Sequence, residues 1–224
     1  MPSSFKPLFI VFEGLDGSGK TTQMEMLAEH LRKNGHDVHL TAEPTDFLST
    51  GQLIRDVLQG KHAFDARTLA ALFAADRIQH LTNPKTGVLD RLSSGQTVIS
   101  SRYYFSSLAY QAETGALDWV AALNSQARAL KRADITFFLD LSAEASMKRI
   151  SSNRDESELF ETEERLDKAR QAFERAFEYW KEGEHVVRID ASEEIEDVFE
   201  KIVESLPAGD SSSEASSGAS SSEV

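Results

Sequence analysis

Apolar residues recur along this chain in two alternating rhythms. Short continuous apolar runs, Leu8–Phe12, Val38–Thr41, Thr97–Ser100, Ile135–Leu139 and His185–Ile189, have the length and β-branched or aromatic content of buried strands. Between them the spacing changes to the 3.6-residue period of amphipathic helices. One helix covers Gln23–Arg32 and ends at Asn34-Gly35. Another runs through Leu53, Ile54, Val57 and Leu58 to Gly60. Further helices are predicted at Thr68–Leu81, Leu117–Lys131, Ala143–Ile150, Phe160–Lys181 and Glu193–Leu206. Strands that alternate with helices in this way predict an α/β fold: a five-stranded parallel sheet, right-handed crossovers, and helices on both faces. In such a sheet ligands bind beyond the carboxyl ends of the strands. Glu43, Ser101-Arg102 and Asp140, which follow the second, third and fourth runs, are therefore expected at one rim.

The first strand leads into Gly14, Leu15, Asp16, Gly17, Ser18, Gly19, Lys20, Thr21 and Thr22, which fits the spacing G-x-x-x-x-G-K-[ST]. Glycines let successive backbone N–H groups turn in around a phosphate, and the helix starting near Lys20 adds its positive end. The Lys20 ammonium can reach the β- and γ-phosphates, and the Thr21 hydroxyl can ligate Mg²⁺. The expected fold is thus the three-layer phosphate-loop fold, and the expected ligand a nucleotide.

Composition narrows the class. The chain has 224 residues, 40% hydrophobic and 27% charged, enough for one globular domain with a full core. There are no cysteines, which excludes disulfides, cysteine-based zinc sites and a thiol nucleophile, and suits a reducing, cytoplasmic setting. Residues 1–7 do not read as a signal peptide, and no run reaches the length of a membrane span. The 24 basic and 37 acidic side chains leave a net charge of −13, a surface that repels nucleic acid. An anionic substrate must then be held by a local group of Arg and Lys. The domain is expected to cover residues 1–206, with a lid near 149–160. Residues 207–224 read as a disordered tail, because eight of the last fourteen residues are serine and none is aromatic.

Two further stretches point to a second ligand. Val98–Gln111, VISSRYYFSSLAYQ, sets Arg102 just past a strand and ahead of an aromatic-rich helix start, which suits an anion carrying a flat ring. In Leu72–Arg77, Phe73 and Arg77 stand four apart on one helical face, a ring to stack on beside a planar hydrogen-bonding fork. Plainer readings stand beside these: Phe73 as core, Arg77 paired with Asp76, and Ser106 and Ser107 as helix caps.

Together, EGLDGSGKTTQ, EPT, FAADR, SRYYFSSLAYQ and LFETEE resemble the thymidylate kinases, within the nucleoside monophosphate kinase group, over about residues 8–205. The resemblance implies transfer of a phosphoryl group from Mg·ATP to dTMP by a cytoplasmic homodimer. It assigns the phosphate loop to ATP, Asp16 to the acceptor's 3′-hydroxyl, and Phe73 and Arg77 to thymine. Arg102 would hold the acceptor phosphate, Ser107 and Gln111 would face the base, and Tyr110 would crowd the 2′ position. Asp190-Ala191-Ser192 resembles the loop beside the donor adenine. Gly17 follows Asp16, so the phosphate loop supplies no arginine, and the catalytic arginine is expected in the lid: Arg154, supported by Arg149. Two positions depart from the family pattern. Ser101 stands where an Asp is usual, leaving Asp16, Glu43 and Asp140 as candidates to help hold the metal. Ala42 stands where an Arg is frequent, leaving Arg55 and Lys61 to replace it. Rival readings are another deoxynucleotide or deoxynucleoside kinase, and a nucleotide-binding regulatory protein without catalysis.

Overall fold

In the computed structural model, which describes residues 6–112, 117–153 and 162–207, the five expected strands form a single parallel sheet. They are β1 (Phe9–Gly14), β2 (Val38–Ala42), β3 (Thr97–Ser101), β4 (Ile135–Asp140) and β5 (Val186–Asp190), in the order β2-β3-β1-β4-β5. The register pairs Phe12 with Ser101, Ala42 with Ser101, Gly14 with Leu139, and Asp140 with Asp190, so the chain leaves all five strands along one rim.

The period of two along β1 sorts its side chains between two cores. Ile10 and Phe12 face α1 (Lys20–Lys33) and α9 (Ile195–Glu204), where Leu27, Val198 and Ile202 pack with Phe137 and Leu139. Phe9 and Val11 face the other way, toward α5 (Tyr104–Tyr110) and α8 (Glu163–Tyr179), with Phe105, Leu108, Phe138 and Phe173. By the same parity Glu13 belongs to the α5 face, and it is fully buried there.

The remaining helices are α2 (Ser49–Leu58), α3 (Ala66–Thr82), α4 (Val88–Ser93), α6 (Leu117–Leu130) and α7 (Ala143–Asn153). Helix α3 is started by Asp65, whose carboxylate accepts from the N–H groups of Arg67 and Thr68. Helix α4 was not expected: six residues are too few to show a helical period. The expected helix at Phe160–Lys181 begins at Glu163, after Thr162, whose hydroxyl accepts from Arg165 N–H. Arg154, most of the expected lid and residues 208–224 of the tail lie outside the described residues.

Candidate active site

At the carboxyl end of β1 the chain turns through Gly14, Gly17 and Gly19, all at positive φ. Gly17 has φ 78°, and a Cβ there would meet Ser146 O at 3.0 Å and Ile150 Cγ1 at 3.1 Å. The phosphate loop is therefore packed directly on α7, where a side chain would crowd that contact and strain the backbone at this positive φ. Gly19 caps α1 in the left-handed region. Lys20, the first helical residue, is buried and donates to Gly14 O (3.0 Å) and Leu15 O (2.7 Å). Gly14 and Leu15, expected among the ATP contacts, thus stand beneath the loop and aim Lys20. Asp16 through Thr22 line a cavity of about 650 Å³, closed on its far side by Arg149, Ala191 and Ser192. Arg149 Nη2 donates to Ala191 O at 3.0 Å, which ties α7 to the segment after β5. That segment is itself closed by Asp190, which accepts from the backbone N–H and hydroxyl of Ser192.

A second cavity, of about 310 Å³, opens on the other side of Asp16 and Arg102. Its walls include Phe73 and Arg77 from α3, Ser107, Tyr110 and Gln111 from α5, and Glu43 from the end of β2. All seven residues expected around an acceptor nucleotide are thus in one place. Phe73 is half-buried and faces this cavity, which decides against its being simple core. Arg165, at the start of α8, also lines it and had no sequence signal beyond its place after LFETEE.

The electrostatics of this cavity rest on Arg77, which is 1% exposed. Its Nε donates to Glu43 Oε2 (2.7 Å), its Nη1 to Ser107 Oγ (2.9 Å) and to Asn124 Oδ1, and its Nη2 to Tyr103 O (3.0 Å). Four of the five guanidinium N–H groups are used, leaving one on Nη2 for a ligand. Asp76 is not its partner. That carboxylate points the other way and accepts from the Thr45 N–H and the hydroxyls of Thr45 and Thr50. Glu43 is held on its second oxygen by His80 Nδ1 at 3.0 Å, and His80 Nε2 meets the Thr41 hydroxyl at 2.8 Å. This buried chain from Thr41 to Asn124 gave no sequence signal.

Arg102 is the hinge between the two cavities and lines both. It has φ 70°, the only positive φ at a non-glycine among the described residues, and its N–H is held by Phe12 O at 2.8 Å. A left-handed residue of this kind costs about 1 kcal/mol, and such positions cluster at functional sites. Its guanidinium pairs with Asp16 at 2.5 Å and lies over the Tyr110 ring at 4.9 Å. Burial raises the proton affinity of Glu13 just beneath it, a shift opposed by Ser106 and by the Arg102 charge.

Ala42, Arg55, Ser101 and Thr21 border a third cavity of about 530 Å³ beside the phosphate loop. Arg55 donates to Pro44 O at 2.6 Å and so stays at this border, whereas Lys61 is drawn to Asp56 at 2.8 Å and reaches none of the three cavities. Asp140 is also corrected as a metal helper: Arg170 and Arg188 occupy its carboxylate, and it lines none of these cavities. No group of three His, Cys, Asp or Glu able to hold a metal occurs among the described residues. Thr21, with its hydroxyl, borders both the phosphate-loop cavity and this third one. None of the described helices is long and apolar enough to cross a membrane.

A sequence model described as thymidylate kinase matches residues 12–202. A Methanococcus aeolicus protein named "Probable thymidylate kinase" is 40% identical over 204 residues, 88% of this chain and 95% of that protein. A Leptospira borgpetersenii protein named "Thymidylate kinase" is 32% identical over 199 residues, 89% of this chain and 93% of that protein.

Proposed function

Because this chain belongs to the thymidylate kinase family, we propose that it transfers the γ-phosphoryl group of ATP to dTMP, giving dTDP and ADP for dTTP synthesis. The observation that carries this reading is the pair of cavities that share Asp16 and Arg102. ATP takes the larger, with its phosphates in the Asp16–Thr22 loop and its adenine beside Ala191 and Ser192. The acceptor takes the smaller, with thymine against Phe73 and the free N–H of Arg77. Ser107, Tyr110 and Gln111 flank it, and its phosphate lies at Arg102.

The chemistry asked of the protein is then placement and charge stabilisation. An acceptor phosphate oxygen is already largely ionised at neutral pH, so no strong general base is required, and Ser101 does not exclude the reaction. Lys20 follows the charge that develops on the transferring group, while Arg102 holds the attacking phosphate in line. Arg149 supports the donor side, and Arg154 is proposed as the arginine that arrives from the lid. Mg²⁺ bound through the ATP phosphates and Thr21 would neutralise charge on the β- and γ-oxygens. Cytoplasmic location and a homodimeric active form belong to the same reading, and sedimentation of the full chain tests the latter.

The deciding experiment is a coupled ADP-release assay with Mg·ATP and dTMP, dUMP, dCMP, dAMP, UMP or thymidine as separate acceptors. Fast turnover on dTMP, slower on dUMP and little on the rest is expected. Turnover on thymidine alone would make the protein a nucleoside kinase. Binding of ATP and dTMP without turnover would make it a regulator, with Ser101 the reason. Within the same assay, Phe73→Ala should raise KM for dTMP by about tenfold, the worth of one aromatic stacking contact. An unchanged KM would remove Phe73 from the base site.

A further inference from the structure

The reaction as derived uses Arg102 but not the carboxylate beneath it. Glu13 occupies a position on β1 that parity assigns to the same apolar face as Phe9 and Val11. Its Oε1 accepts from the backbone N–H groups of Tyr103 (2.9 Å) and Ser106 (3.1 Å). Those two bonds cap the first turn of α5, whose own N-cap residue, Tyr103, makes no side-chain cap. A third bond goes beyond capping. Glu13 Oε2 accepts the Ser106 hydroxyl proton at 2.5 Å, and the Ser106 oxygen accepts from Arg102 Nη1 at 3.0 Å.

A hydroxyl has one proton and two lone pairs. With the Ser106 proton committed to Glu13, the oxygen presents a lone pair to Arg102 and can only accept there. We propose that Glu13 is a positioning residue for the acceptor phosphate, acting through Ser106 to fix the direction of the Arg102 guanidinium. Three observations converge on this. The carboxylate is shut away from solvent, so it touches no ligand itself. Arg102 sits in a left-handed conformation that needs support from its surroundings. Its guanidinium must also divide its bonds between Asp16 and an incoming phosphate, so a third, fixed anchor decides where the remaining N–H groups point.

The proposal rests on the reading of dTMP as acceptor, and the test separates the two. Calorimetric affinities for dTMP and for thymidine are measured on the full chain, as wild type, Glu13→Gln and Ser106→Ala. Glu13→Gln keeps the shape of the side chain but sets an amide donor against the hydroxyl. Ser106→Ala removes the relay while sparing both backbone bonds. Each variant should bind dTMP about tenfold or more weakly, the range of a lost or misdirected charge-assisted hydrogen bond, with thymidine affinity unchanged. An unchanged ratio of dTMP to thymidine affinity in the variants, or an equal weakening of both ligands, would overturn the positioning role. Loss in Ser106→Ala alone would make Ser106 a direct ligand and likewise overturn it. If Glu13→Gln does not fold, Glu13→Asp replaces it, since the shorter carboxylate also withdraws from Ser106. A wild type that binds dTMP no better than thymidine would instead sink the acceptor assignment.

Discussion

Arg102→Met is expected to lower kcat/KM for dTMP by about 10³-fold, the scale of a positioned arginine in phosphoryl transfer. KM for ATP should stay within about threefold, because the donor phosphates keep the loop N–H groups and Lys20. Methionine preserves much of the bulk over the Tyr110 ring and removes the charge, so the loss reports electrostatics more than packing. Arg102→Lys should recover a part only. Its ammonium restores one positive charge but not the planar fork that bonds Asp16 and Ser106 together. Steady-state kinetics with both substrates varied decide the matter. A variant with wild-type kcat/KM would mean that another cation holds the acceptor phosphate, and Arg165 on the wall of that cavity would be the next to replace.

Arg77→Leu attacks stability and binding together. The substitution strands Glu43, whose side chain is 2% exposed, as a buried carboxylate without its guanidinium partner. It also leaves Asn124 and Ser107 without their donor. Breaking one side of a buried pair costs about 3–5 kcal/mol. In a domain of this size that lowers the melting temperature by roughly 10 °C. With the remaining Arg77 N–H assigned to thymine as proposed, its loss adds a rise in KM for dTMP. Glu43→Gln introduced with Arg77→Leu should return part of the stability but none of the acceptor affinity, since the stranded charge is gone while the donor is still missing. Thermal unfolding and acceptor kinetics measured on both variants check the two effects separately. If the single variant melts within a degree or two of wild type, Glu43 has another way to be satisfied.

The parts of this site that were legible in the sequence are those whose meaning is local. The run from Leu8 through Thr22 declares strand, loop and helix within fifteen residues, and each glycine there has a conformation to justify it. Phe73 and Arg77 share a cavity because four residues make about one helical turn. What escaped depends on partners distant in sequence. Asp76 and Arg77 are adjacent and of opposite charge, yet about 100° apart around the helix, so one faces Thr45 and the other Glu43. A Glu at the end of an apolar strand reads as a boundary until Ser106, 93 residues later, supplies the hydroxyl that makes its burial tolerable. Asp140 was well placed by register but already engaged by Arg170 and Arg188, which arrive from α8 and β5.

The wall between the two cavities is the Asp16–Arg102 pair, little more than one salt bridge thick. With the two nucleotides placed as proposed, an anion on either side meets the same guanidinium, which couples the two binding equilibria even where the loop and Lys20 carry most of the hold on ATP. Whatever factor ATP imposes on the affinity for dTMP, dTMP must impose on the affinity for ATP. The enzyme thereby carries a built-in preference for or against the ternary complex, and its sign is set by how Arg102 redistributes its bonds when both neighbours are present.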